Sequence, residues 1–134
     1  MIWWKSAFLP DRMEAFSRLQ KKTGIEISLE LGLQTVNYHT LKKVNRGHGL
    51  AEFINAVLLI APYHFPVCVH MILNLPGDTL EDAEEAARIL SALPVQMVKL
   101  HSLYIPRNSR LYQDYRDGKI RICAKEEYLE RLCA

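Results

Sequence analysis

The chain alternates between apolar runs of strand length and amphipathic stretches of helical length. Three runs are predicted as strands: Ile25 to Leu31, Val67 to Leu75 and Val95 to Leu103. The first is rich in Ile and Leu, which is typical of a strand covered on both faces. Helices are predicted at residues 10–22, Ala51 to Ala61, Thr79 to Leu93, Leu111 to Tyr115 (one turn) and Lys125 to Leu132. This order predicts an α/β fold with right-handed βαβ units and a parallel sheet.

The stretch from Thr79 to Leu93 has the clearest helix signals. Either Asp78 or Thr79 can cap its N-terminus, and acidic residues fill its first half, where they interact favourably with the helix dipole. Its predicted buried stripe consists of Leu80, Ala83, Ala87 and Leu90.

Three strands are few for an α/β fold. Both edges of such a sheet would be apolar and unpaired, which folded domains usually avoid. We therefore expect this chain to be part of a larger α/β structure or to associate with itself.

Composition narrows the class of protein without identifying it. The 134 residues suit one domain, and a net charge of +2 is too small to imply a nucleic-acid partner. Six basic residues between Pro106 and Lys125 are most simply a solvated surface, and the alternative is a phosphate-contacting patch. The three cysteines have no metal-ligand spacing, and Cys68 lies in an apolar run, which indicates core packing and a reducing cytoplasm. No signal peptide and no run of membrane-spanning length is expected.

Polar side chains recur on one face of each predicted strand. Side chains alternate between the faces of a strand, so Glu30, His70, Lys99 and His101 fall at comparable positions. Burying such a group without a partner costs about 2 to 7 kcal/mol, so we expect the four to share one polar interior. That interior could be a self-satisfied network. A ligand site is favoured, because ligands bind at the C-terminal strand ends of parallel sheets.

The first strand is also predicted to deliver Gln34 to a loop, and Arg46 follows a short helical stretch. An amide and a guanidinium meeting at a strand end suit a ligand that carries both hydroxyls and a carboxylate, such as a nucleoside or an amino acid. The tight turn Leu75-Pro76-Gly77 adds free N–H groups at a helix N-terminus, although any βα turn does so.

Three blocks of sequence carry a family resemblance: ELGLQT with TLKKVNRGH, VCVHMILNLPGDT, and VKLHSLYI with LYQDY. Together they resemble the second half of radical SAM proteins, and more closely the YhcC-like group, which is related to the catalytic subunit of elongator. The resemblance implies the C-terminal half of a partial (β/α)6 TIM-type barrel. Residues 1–24 would be a preceding helix, 25–103 three strands with crossover helices, and 104–134 a C-terminal extension.

The resemblance also implies a binding site for S-adenosyl-L-methionine (SAM) across the strand ends. Gln34 and Arg46 match residues that hold the ribose and the carboxylate, and Glu30 matches the strand acid before them. His70 faces the site, and Ile72 to Asn74 match a backbone stretch that contacts adenine. The sixth-strand pair, Lys99 and His101, would line the site or contact substrate. His48 either orders the NRGH loop or caps a helix; no residue is assigned to catalysis or to a metal.

The largest departure from the family pattern is the missing CxxxCxxC motif. That motif supplies the thiolates of the [4Fe–4S] cluster, and Cys68, Cys123 and Cys133 are isolated residues that cannot replace it. We therefore expect the cluster to belong to a full-length protein whose first half-barrel is absent here. Asn74 and Asp78 stand where the family usually has Gly and Glu, and 106–109 replaces a loop with Gly and Thr.

Three hypotheses follow. The chain is the C-terminal fragment of a radical SAM enzyme, which would cleave SAM to a 5′-deoxyadenosyl radical, with a tRNA base as one candidate substrate. Alternatively it is a non-catalytic nucleoside-binding half-barrel, or a fragment without independent function that self-associates. The expected partners are the missing N-terminal half-barrel or a second copy, with tRNA as a further candidate and no membrane.

Overall fold

The structure is a computed structural model that describes residues 10–134. In this part of the chain we number the strands β1 Leu29–Gln34, β2 Val67–Ile72 and β3 Met97–His101. The helices are α1 Pro10–Thr23, α2 Tyr38–Lys43, α3 Leu50–Ile60, α4 Leu80–Ser91, α5 Arg110–Arg116 and α6 Lys125–Cys133. A 3-10 turn, Ala61–Tyr63, follows α3.

The three strands form a parallel sheet in the order β1-β2-β3. Leu31 of β1 pairs with Val69 of β2, and Val69 pairs with Val98 of β3. The helix α3 connects β1 to β2, and α4 connects β2 to β3. The predicted α/β fold and parallel sheet are confirmed.

The first strand begins four residues later than predicted and ends three residues later. Ile25 is 61% exposed, and the backbone N–H of Ile27 donates to the side chain of Gln20 on α1 instead of to β2. Ladder pairing with β2 begins at Leu29 and continues through Gly32, where the prediction ended the strand. The sequence-based bounds Ile25 to Leu31 are therefore wrong, and Gln34 is the last residue of the strand rather than part of a loop.

The other elements agree more closely with the prediction. The strands β2 and β3 are shorter than the predicted runs. The helices α3, α5 and α6 begin and end within one or two residues of their predicted bounds. Thr79 is the N-cap of α4, and its hydroxyl accepts from the N–H of Asp82. Leu80 and Ala87, both placed in the buried stripe of this helix, are exposed, and Ala86 is buried instead.

The core lies on one side of the sheet, between the strands and the helices α1, α3 and α4. Its largest fully buried side chains from β1, β2, α1 and α3 are Phe53, Met13, Leu31, Leu33, Ile60, Val57 and Val69. The polar side chains point to the other face, where Glu30 and Lys99 are about half exposed. Among residues 10–134, no helix is long and apolar enough to cross a membrane.

Candidate functional site

One corner of the site is built around Gly32, near the C-terminal end of β1. The strand is irregular between Gly32 and Gln34, and Gln34 has a left-handed φ of 73°. Arg46 comes from the segment after α2, and its Nη2 donates to the carbonyl of Gly32 over 3.0 Å. The Nε2 of His48 lies 2.9 Å from the same oxygen.

Only a glycine leaves room for this arrangement. A Cβ on Gly32 would lie 2.5 Å from Nε2 of Gln34 and 2.7 Å from Nη2 of Arg46, both inside contact distance. The structure therefore brings the amide and the guanidinium together above the backbone of Gly32. His48 links its loop to β1 through the contact with the Gly32 carbonyl. It does not cap α2, because the C-cap of that helix is Val44.

Desolvation lowers the pKa of both basic side chains in this corner. Desolvation lowers the pKa of Arg46, yet a guanidinium stays charged at neutral pH because its ordinary pKa lies so high. Desolvation also lowers the pKa of His48, which keeps that ring neutral. The corner thus offers one fixed positive charge, an amide and an imidazole, and this set suits a carboxylate with neighbouring hydroxyls.

A row of four polar side chains crosses the open face of the sheet. Nζ of Lys99 lies 2.6 Å from Oε1 of Glu30, and Oε2 of Glu30 lies 3.0 Å from Nε2 of His70. Nδ1 of His70 is 2.8 Å from Nε2 of His101, and the two rings stack with centroids 5.0 Å apart. The four residues predicted to converge are therefore joined in one row. The row is not enclosed by the described residues, since Glu30 is 51% exposed.

Charge pairing shifts two groups of this row. The hydrogen bond from Lys99, followed by the one from His70, lowers the pKa of Glu30, and the same carboxylate raises the pKa of Lys99. Both groups are charged across the neutral range, so the row presents an ion pair beside two imidazoles.

The remaining predicted residues lie at the end of β2. Ile72 is half-buried and pairs with His101. The Oδ1 of Asn74 accepts from the N–H of Leu103 over 2.6 Å, so this side chain holds the chain after β3.

Two residues of this region were given no role in the site by the sequence-based prediction. Asp78 is largely buried after β2, and burial raises the pKa of its carboxyl, although the neighbouring hydroxyls of Thr35 and Thr40 favour the charged form. Arg131 of α6 donates to two backbone carbonyls of the same loop. No local sequence signal points to Arg131, because its contacts are more than 50 residues away.

The residues present differ in how well they fit the two expected cofactors. Gln34 and Arg46 provide donors that suit the carboxylate and hydroxyls of SAM. A [4Fe–4S] cluster does not fit, because Cys68 is buried and no cluster of possible ligands in residues 10–134 contains more than one cysteine. Glu30, Cys68 and His70 place ligand atoms within 4.8 Å of one another, but the Lys99 ammonium beside Glu30 opposes a second cation there.

Comparison with known protein families gives two matches. A family model described as the Radical SAM superfamily matches residues 6–90, and one described as the Radical_SAM C-terminal domain matches residues 95–134. The first match alone covers more than half of the chain.

Individual relatives agree with these matches. Protein YhcC of Escherichia coli is 32% identical over 81% of this chain and 35% of its own length. A tRNA uridine(34) acetyltransferase of Methanocaldococcus infernus is 26% identical over 76% of this chain and 20% of its own length. The solved structure of the archaeal Elp3 from M. infernus superposes with a TM-score of 0.74 at 23% identity, over 92% of this chain and 30% of that one. The chain thus spans about a third or less of the proteins it matches.

Proposed function

Because this chain belongs to the radical SAM superfamily, we propose that it forms the SAM-binding wall in the C-terminal part of a radical SAM iron–sulfur enzyme. One observation carries the proposal: Gln34 and Arg46 converge above Gly32, at the C-terminal end of a parallel strand. This is the end of the sheet at which α/β folds bind their ligands.

Each residue of the wall has a distinct task in this proposal. Arg46 would pair with the SAM carboxylate, and Gln34 would hydrogen-bond a ribose hydroxyl. Glu30 and His70 would line the next part of the site, and the backbone of 72–74 would border the adenine. Bound SAM supplies, on reductive cleavage, the radical that removes a hydrogen atom from substrate. Lys99 and His101 lie further across the sheet and would face that substrate.

The cluster has to come from elsewhere, since these residues cannot hold it. We propose that an N-terminal half-barrel with a CxxxCxxC motif completes the site along the edge of β1 that pairs with no strand of residues 10–134. After anaerobic reconstitution with iron, sulfide and dithionite, the present chain should therefore produce no 5′-deoxyadenosine from SAM. Measurable 5′-deoxyadenosine would contradict this division of the site.

The main support for a tRNA substrate is similarity to a relative. The M. infernus relative is named as a tRNA uridine(34) acetyltransferase. The basic residues after Pro106 add less support, because Lys119 pairs with Asp117 and Arg121 with Glu127. Competition gel shifts of tRNA against a DNA duplex of equal length test this part, and equal binding of the two would reject a tRNA-specific site.

Calorimetric titration tests the SAM wall itself. SAM or S-adenosylhomocysteine should bind the wild-type chain, and Gln34→Ala or Arg46→Ala should each weaken binding about tenfold or more, since each removes a hydrogen bond to a charged or polar group. Arg88→Ala is the matched control, because Arg88 is an exposed guanidinium on α4 that pairs with Glu84. No binding at millimolar ligand, or equal loss in the control, would reject the wall.

Self-association is the second candidate, and the exposure of β3 favours it. All five residues of β3 are exposed, including the apolar side chains of Met97, Val98 and Leu100. A half-barrel of this kind could pair with a second copy in place of an N-terminal half. Light scattering distinguishes the two states, and a monodisperse monomer would rule out the self-paired form.

A further inference from the structure

Arg131 spans the loop between β2 and α4. It lies on α6, and its Nη1 donates to the carbonyl of Leu73 over 2.7 Å while Nη2 donates to the carbonyl of Asp78 over 2.8 Å. These carbonyls stand near the two ends of the loop, residues 73–79. One rigid guanidinium therefore fixes the distance across the loop.

The same loop is attached to the rest of the site at two more points. Asn74 accepts from the N–H of Leu103, which joins the loop to the end of β3. The Asp78 carboxyl lies beside the buried hydroxyls of Thr35 and Thr40. Since Thr35 directly follows Gln34, the position of Asp78 bears on the corner above Gly32.

An ordinary surface role does not account for Arg131. An exposed surface arginine typically pairs with a carboxylate, as Arg121, just before α6, does with Glu127. Arg131 is part-buried and instead donates to two main-chain carbonyls. Removing Arg131 would take its hydrogen bonds away from both carbonyls. That loss lowers the free energy of unfolding more than the loss of a surface ion pair does.

We propose that Arg131 is a positioning residue, through which the C-terminal helix holds the β2–α4 loop in the shape that the ligand site requires. The identity of the ligand as SAM rests on the proposed function, whereas the hold on the loop does not. Through Arg131, α6 in the segment matched as the C-terminal domain sets the geometry of the site in the segment matched as the Radical SAM superfamily.

Hydrogen exchange of backbone amides, measured on the full chain, tests the hold on the loop. In Arg131→Gln, the hydrogen-bonded amides of Leu73, Asp78 and Thr79 should exchange about tenfold faster or more, while those of β1 and α3 keep their wild-type rates. In Arg131→Lys, the exchange rates of these loop amides should lie between those of the wild type and Arg131→Gln, because a single ammonium cannot reproduce the bidentate contact. Arg121→Gln is the control, and the loop amides should exchange in it at their wild-type rates.

Affinity for S-adenosylhomocysteine provides the second readout, which a merely structural arginine would not change. It should fall at least several-fold in Arg131→Gln and stay at the wild-type value in Arg121→Gln. Unchanged loop exchange, faster exchange throughout the chain, or an unchanged affinity in Arg131→Gln would each overturn the inference. If the wild-type chain binds no ligand, the proposed function fails, and the loop exchange still decides whether Arg131 holds the loop.

Discussion

Gln34 and Arg46 meet above Gly32, although a helix and a turn separate them in the sequence. The guanidinium is held there by its hydrogen bond to the Gly32 carbonyl, and the backbone of Gln34, which carries the amide, is left-handed. The absence of a side chain on Gly32 is what lets both groups lie close to the strand. This corner is the part of the site on which the functional proposal depends most.

Gly32→Ala should therefore damage the site and spare the fold. The new methyl group would collide only with the far ends of two flexible side chains, so the free energy of unfolding should change by less than about 1 kcal/mol. Displacing Gln34 and Arg46 should weaken S-adenosylhomocysteine binding about tenfold or more, measured by calorimetry. Arg88→Ala is the control, because Arg88 is an exposed residue of α4 that lies outside this corner. Equal affinity of the two variants would contradict the arrangement.

The Glu30–Lys99 ion pair should be visible in an NMR titration of the Glu30 carboxyl. The pKa of Glu30 lies below its ordinary value of 4.5, with the Lys99 hydrogen bond as the main cause, so Lys99→Met should raise it. The pair stabilises the fold between the lowered pKa of Glu30 and the raised pKa of Lys99, and this contribution is lost as the pH falls through the former. Lys119→Met should leave the Glu30 titration unchanged, and a Glu30 pKa that is insensitive to Lys99 would reject the pairing.

Asp78 should have the opposite pH dependence. Burial raises its folded-state pKa above 3.8. Between 3.8 and the raised pKa, the folded state therefore binds more protons than the unfolded state. The wild type should consequently lose stability relative to Asp78→Asn as the pH rises from about 4 through the raised pKa. Urea unfolding of both proteins from pH 4 to 7 measures the difference, and a difference that is constant or grows in favour of the wild type would contradict it.

Phe53 should be a main determinant of stability. Its side chain on α3 is fully buried in the core, so Phe53→Ala should lower the free energy of unfolding by about 3–5 kcal/mol. Leu58→Ala on the same helix is the comparison, since Leu58 is 55% exposed and should lose less than about 1 kcal/mol. Similar losses in both variants, measured by denaturant unfolding, would mean that the core does not lie where the structure puts it.

The sequence predicted the order of elements well because hydrophobic period and capping are local properties. It failed at the start of β1, where the alternating stretch Ile25 to Ser28 is typical of a strand, but the side chain of Gln20 on α1 accepts from the Ile27 N–H. Such a competition between two partners cannot be read from periodicity. The α/β fold and its parallel sheet were nevertheless predicted, and they match part of a radical SAM barrel.

The site was predicted less completely than the fold. Alternation along the strands was sufficient to place Glu30, His70, Lys99 and His101 on one face, since their spacing is a strand property. The roles of Asp78 and Arg131 depend instead on contacts between distant segments. Nothing in the residues around Arg131 distinguishes it from the paired surface arginines of the same tail.

The central claim is that the corner above Gly32 and the end of β2 form one wall of a SAM site. An NMR titration of the isotopically labelled chain with S-adenosylhomocysteine tests this most directly, because each backbone amide reports its own environment. The account predicts saturable shifts at residues 32–35, 46–48 and 72–74, and none on the exposed face of α4. Shifts confined to other residues, or no shifts at millimolar ligand, would contradict it.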